Sequence, residues 1–109
     1  MTLAVLVEAT TLSRLKALAN DIRFEIVRIL AHGERCVCDL EDLLQLPQSK
    51  VSYHLATLVE AGLIQGEKRG KNSYYRLERS VLYGLGGDLL QTLLTPVPAL
   101  VERQQVECR

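Results

Sequence analysis

Apolar residues recur at helical spacing through the first half of the chain. Leu12, Leu15 and Leu18, with Leu3, Leu6 and Val7 upstream, predict a first helix ending near Asn20. Asn20 or Asp21 can cap a second, whose stripe Ile22, Ile26, Ile29 and Leu30 falls at i, i+4, i+7 and i+8, with Gly33 as a stop. Asp39 predicts the cap of a short third helix: its carboxylate can accept orphan amide bonds, Glu41 and Asp42 suit the positive end of the dipole, and Leu40, Leu43 and Leu44 supply a buried face. Pro47 interrupts that pattern. A fourth helix follows from about Gln48 to Ala61, with Val51, Leu55, Leu58 and Val59 on one side and Gly62 as its stop.

Beyond Gly62 the pattern turns extended. Leu63-Ile64-Gln65 and Ser73-Tyr74-Tyr75-Arg76-Leu77 predict two strands, with Arg69-Gly70-Lys71-Asn72 as a basic hairpin tip. A last helix from Arg79 to Leu94 carries Leu82, Leu85, Leu89, Leu90, Leu93 and Leu94; Gly84, Gly86 and Gly87 each cost it about 1 kcal/mol of propensity. Pro96 and Pro98 end the pattern. The fold class is therefore mainly α with a β-hairpin, a winged helix-turn-helix. Residues 1–95 form its DNA-binding and dimerisation domain, and 96–109 a C-terminal tail carrying Cys108. A domain this small buries a limited core, and its leucine-rich end helices suit a dimer interface.

Composition adds a problem and its answer. The formal net charge is zero, without the basic excess of many nucleic-acid binders. Between Gln48 and Leu77, however, Lys50, Lys68, Arg69, Lys71 and Arg76 face only Glu60 and Glu67. Between Glu34 and Gln45, Arg35 alone opposes Glu34, Asp39, Glu41 and Asp42. Positive charge is thus concentrated where a DNA reader needs it. Three Cys residues with no signal sequence point to a reducing compartment, and no stretch approaches the length of a membrane span, so a cytoplasmic protein is expected.

On the fourth helix the apolar stripe turns Ser49, Lys50, Tyr53 and Thr57 outward. Recognition helices contact base edges mainly near their N-terminus, so Gln48, Ser49, Ser52 and Tyr53 are the candidate base contacts. Lys50, His54 and the wing residues Lys68, Arg69 and Lys71 are the candidate phosphate contacts.

From about Leu12 to Leu94, the strings LKALANDIRFEIVRIL, ERCVCDLEDLL, QSKVSYHLATLVEAGLI and GKNSYYRL resemble the ArsR/SmtB family of metal-responsive winged-helix repressors. The most specific parts are the Gln-Ser-x-Val-Ser-x-His-Leu and Cys-Val-Cys-Asp-Leu runs. The resemblance implies a homodimer built from the first and last helices. It would bind double-stranded operator DNA with dyad symmetry and leave it when an inducer binds. The Cys-Val-Cys-Asp-Leu run is most similar to arsenite and antimonite sensors, which implies As(III) or Sb(III) as inducer and no organic cofactor. Some cadmium and lead sensors share the run. Many arsenic sensors carry a third Cys where this chain has Glu41, and the N-terminal Cys of cadmium and lead sensors is missing. The last-helix Asp and His ligands of zinc and cobalt sensors are absent, since His32 and His54 lie elsewhere.

Cys36 and Cys38 carry the soft-ligand chemistry. Residues i and i+2 of a regular helix point about 200° apart, so the pair can share an ion only from an extended segment or an unwound first turn. A trivalent metalloid wants a third thiolate: Cys108 is the one left in the chain, and an extended tail from Pro98 spans roughly 33 Å, so reach permits it, while the harder Glu41 carboxylate or a small exogenous thiol are the alternatives. A redox switch of the same thiols is the rival within DNA binding. No Cys-x-x-Cys motif or Cys-His catalytic pair supports an enzyme.

Overall fold

A computed structural model describes residues 3–96, with side chains from residue 10. Five helices and three strands follow one another as α1 (Leu3–Leu18), α2 (Asp21–Leu30), β1 (Arg35–Cys36), α3 (Val37–Leu44), α4 (Gln48–Glu60), β2 (Ile64–Arg69), β3 (Asn72–Leu77) and α5 (Arg79–Leu94). Helices α3 and α4 form the helix-turn-helix. The strands form an antiparallel sheet in the order β1-β3-β2. No helix among the described residues is long and apolar enough to cross a membrane.

The core is built mainly from α2, α3 and α4. Ile26 and Leu30 of α2, Leu40 of α3, and Val51, Leu55 and Leu58 of α4 are buried with Leu63 and Ile64, where β2 begins. Asn20 caps α2, accepting the N–H groups of Ile22 and Arg23 at 3.0 and 3.1 Å. Gly33 at φ 136° and Gly62 at φ 78° end the turns after α2 and α4 in conformations that only glycine adopts cheaply.

Three local expectations are corrected. Helix α3 starts at Val37, not after Asp39, because Cys36 is its N-cap in extended conformation. The Cys36 sulfur accepts the Asp39 N–H, and the Asp39 carboxylate accepts the Cys36 N–H, each at 3.3 Å. This is a capping box with sulfur in the place of the usual hydroxyl. The wing is longer than predicted, because the ladder runs without a break from Ile64↔Leu77 to Arg69↔Asn72. Only Gly70 and Lys71 form its tip, and Gly70 at φ 62° supplies the left-handed first position of a primed hairpin turn. Strand β1 was not anticipated; it adds Arg35↔Tyr75 and Cys36↔Tyr74 to the outer side of β3.

Some apolar side chains expected inside lie outside. Leu43 is 59% exposed and Val59 41%, since Leu40 and the α4 stripe already fill the space between the two helices. Leu12 on α1 and Leu90, Leu93 and Leu94 on α5 are also exposed in the single chain. Helices α1 and α5, which carry these leucines, pack on one another.

Candidate DNA interface and thiol site

Helix α4 separates its two roles by periodicity. Val51, Leu55 and Leu58 anchor it in the core, while Gln48, Ser49, Lys50, Ser52 and Tyr53 are all exposed on the other side. The wing displays Lys68, Arg69 and Lys71, also exposed. The structure thus presents eight of the nine predicted DNA-facing residues to solvent on two successive elements.

His54 is the ninth, and its placement is a correction. It is only 6% exposed, because it lies one helical turn from Val51 and from Leu58 on the buried stripe. Its Nδ1 accepts a hydrogen bond from the Arg23 guanidinium at 3.0 Å, and Arg23 also donates through Nε to the Ala17 carbonyl at 2.7 Å. Because a guanidinium can only donate, Nδ1 must be unprotonated. His54 therefore ties α4 to α1 and α2 and does not face a phosphate. At the far end of α4, Arg14 donates to the Ala61 carbonyl at 3.0 Å. Burial, then the charges of Arg23 and Lys50, hold the His54 imidazole below its ordinary pKa.

A pH dependence follows with a definite sign. The folded protein favours neutral His54, so this contribution is complete above the ordinary imidazole value of about 6.5 and is lost as pH falls through the lower folded value. The thermal midpoint should fall more between about pH 7 and 5 in the parent than in His54→Gln. Equal slopes in the two proteins would show that this contact does not carry the dependence.

The wing cation Arg69 is already engaged. Its guanidinium meets both carboxylate oxygens of Glu34, at 2.6 and 2.8 Å, and Glu67 at 2.7 and 3.0 Å. It also lies over the Tyr74 ring at 4.9 Å. The neighbouring Arg76 is 3.7 Å from Glu67 and 4.0 Å from Glu34. Arg69 holds the Glu34 carboxyl below the usual carboxylate range.

The thiol site lies at the start of α3. Cys36 and Cys38 are joined in a disulfide, with their Cα atoms 5.4 Å apart. Free thiols were expected. The extended backbone of Cys36 accounts for the difference: it is outside the helix, so the 200° separation of helical neighbours does not apply, and its sulfur turns over the first turn toward Cys38. The two sulfurs and a carboxylate oxygen of Asp39 all lie within 4.8 Å of one another. Cys36 is buried at 5% exposure, whereas Cys38 and Asp39 are exposed, and Asp39 also lines a cleft with Glu34, Arg35, Asp42 and Leu43. In reduced form this donor set suits a thiophilic ion, and the helix N-terminus favours the thiolates. The sequence pattern marks Asp39 as a cap; its place directly after Cys38 is the signal for a ligand. Cys108 lies outside the described residues, as does the rest of the tail beyond Pro96.

Comparison with known proteins gives consistent results. The sequence pattern described as "Bacterial regulatory protein, arsR family" matches residues 20–65. The "Arsenical resistance operon repressor" of Bacillus subtilis is 44% identical over 73 residues, covering 66% of this chain and 70% of that protein. The "Arsenic resistance transcriptional regulator ArsR1" of Pseudomonas putida is 45% identical over 67 residues, 61% of this chain but only 52% of that protein. A solution structure from Mycobacterium bovis, described as a homodimeric winged helix-turn-helix DNA-binding domain, superposes with a TM-score of 0.66 at 26% identity, covering 93% of this chain and 85% of that one.

Proposed function

The chain belongs to the ArsR family of bacterial regulators, and from that premise we propose that it is a homodimeric repressor released from its operator by trivalent arsenic or antimony bound at Cys36 and Cys38. At the coarser level it is a helix-turn-helix transcriptional repressor and not an enzyme. One observation carries the finer reading: the two sulfurs meet at the first turn of α3, the helix that leads into the reader helix α4.

In the reduced protein both sulfurs close on one ion and fix the first turn of α3. Helix α4 follows after a short turn, so a change at the start of α3 alters how α4 presents Gln48, Ser49, Ser52 and Tyr53 to base edges. Lys50, Lys68, Arg69 and Lys71 hold phosphates on either side. In the homodimer, α1 and α5 of both copies cover the exposed Leu12, Leu90, Leu93 and Leu94, and the two α4 helices read a site with dyad symmetry. The homodimeric relative and the packing of α1 on α5, the two helices that carry these leucines, support this arrangement.

For the third ligand the chemistry favours Cys108 over Asp39. A carboxylate is harder than a thiophilic metalloid prefers, and the Asp39 carboxylate already accepts the Cys36 N–H. The test is a titration of the purified, reduced protein with arsenite, antimonite, cadmium and lead, following thiolate absorption and operator release together. Arsenite or antimonite should release DNA at one equivalent per site, and Cys108→Ser should weaken that response while Asp39→Asn preserves it. An operator affinity indifferent to both metalloids would sink the reading.

The disulfide favours a second reading, in which oxidation itself is the signal. A peroxide would take two electrons from the pair. One thiolate attacks the O–O bond to give a sulfenic acid, and the other displaces hydroxide from it to form the S–S bond. Release by peroxide without metal, against release by arsenite under reducing conditions, separates the two.

A further inference from the structure

We propose that Glu34 is a latch on the wing: it holds Arg69 away from operator phosphate, and the state of the Cys36–Cys38 site sets how firmly it does so. This rests on the reading above for its trigger, but its effect on DNA affinity does not.

The geometry supplies the latch. Arg69 directs Nε and one terminal nitrogen to Glu67, and both terminal nitrogens to Glu34. A guanidinium has five N–H donors, and four are committed here. Two carboxylates at the same point also repel phosphate. Arg69 can therefore grip DNA only by exchanging a carboxylate, and Glu34 is the one that can leave with its own segment. Glu67 is two residues from Arg69 on the same strand and travels with it.

Two routes join this latch to the thiol site. Along the chain, Glu34 precedes Cys36 by two residues, at the edge of the two-residue strand β1. Across the sheet, Cys36 pairs with Tyr74, whose ring lies beneath the Arg69 guanidinium. A strand held by two ladder pairs is easily shifted, and its far end is the N-cap of α3. When the two sulfurs are drawn together, β1 is fixed against β3 and Glu34 is kept at Arg69. When they are apart, β1 can yield and Glu34 can withdraw. In the structure the sulfurs are joined and the latch is closed, as this scheme requires. The wing, and not α4 alone, thus receives the signal.

The experiment measures operator affinity of the full-length reduced protein across a salt series, with and without arsenite, for the parent, Glu34→Gln, Arg69→Gln and the double variant. Glu34→Gln should bind about two- to fivefold tighter without inducer, the range expected for an exposed pair, and its salt slope should steepen by about one phosphate contact. Its release by arsenite should shrink by a similar factor. Both effects should vanish in the Arg69→Gln background, which a merely structural role for Glu34 would not produce. Glu34→Gln binding and responding as the parent does would overturn the latch, as would weaker binding, which would mean that Glu34 aims Arg69 at DNA. If the parent ignores arsenite but Glu34→Gln still binds tighter with a steeper slope, the metalloid reading fails and the latch on DNA affinity stands.

Discussion

Cys36→Ser protein should bind its operator about as tightly as the parent and no longer let go when arsenite is added. Serine is the substitution that isolates the ligand role. Cys36 is also the N-cap of α3, with its sulfur accepting the Asp39 N–H, and a serine hydroxyl makes the same bond and is among the preferred N-cap groups. Alanine would instead remove the cap, at a cost of about 0.5–2 kcal/mol, and confuse lost stability with lost sensing. The quantity at stake is the whole coupling between the thiol site and DNA, typically a factor of about 5 to 150 in affinity. Operator titrations under reducing conditions, with and without arsenite, read it directly. Undiminished release would show that the signal does not pass through this residue.

The second large effect concerns the fold. Leu55→Ala should cost about 2–5 kcal/mol, because a fully buried leucine loses its transfer energy and leaves a cavity that its neighbours fill only in part. That is a large share of the roughly 5–15 kcal/mol that holds such a domain folded, and it corresponds to a fall of at least about 8 °C in the melting midpoint. Leu55 lies on α4 itself, opposite Tyr53, so operator binding should weaken along with stability. Leu43→Ala is the matched control: that side chain is 59% exposed, and its loss should change stability by less than about 0.5 kcal/mol. Thermal unfolding at one fixed protein concentration compares the three, since the midpoint of the proposed homodimer would depend on concentration. A Leu55→Ala protein melting with the parent would mean that the core is not centred on α4.

The apolar periodicity was enough to locate all five helices, and α5 runs from Arg79 to Leu94 as the leucine spacing predicts. Local capping rules carried less far where an unusual atom took the usual role. Cysteine is not among the common N-cap residues, so the capping rules favour Asp39 and place the start of α3 too late, whereas Cys36 caps it. Strand β1 was illegible for a different reason: two residues hold no period, and only their pairing with β3 defines them. His54 reads as a surface residue because it is polar, yet its spacing from Val51 and Leu58 put it on the buried stripe, where Arg23 satisfies it from another helix. The Glu34–Arg69 pair joins residues 35 apart in the chain, a distance at which charge counting shows both signs but not their meeting. The α5 leucines repeat at helical spacing, which marks an apolar face but not what covers it, and in the single chain Leu90, Leu93 and Leu94 are exposed.

The bonds from Arg23 to His54 and from Arg14 to the Ala61 carbonyl act on the middle and the end of one helix. They leave α4 little slack relative to α1. In the proposed homodimer the span between the two reading heads is then a gauge set where the α1 helices meet, far from any base pair. Substitutions there would retune which half-site spacing is accepted, while the letters read at each half-site stayed the same.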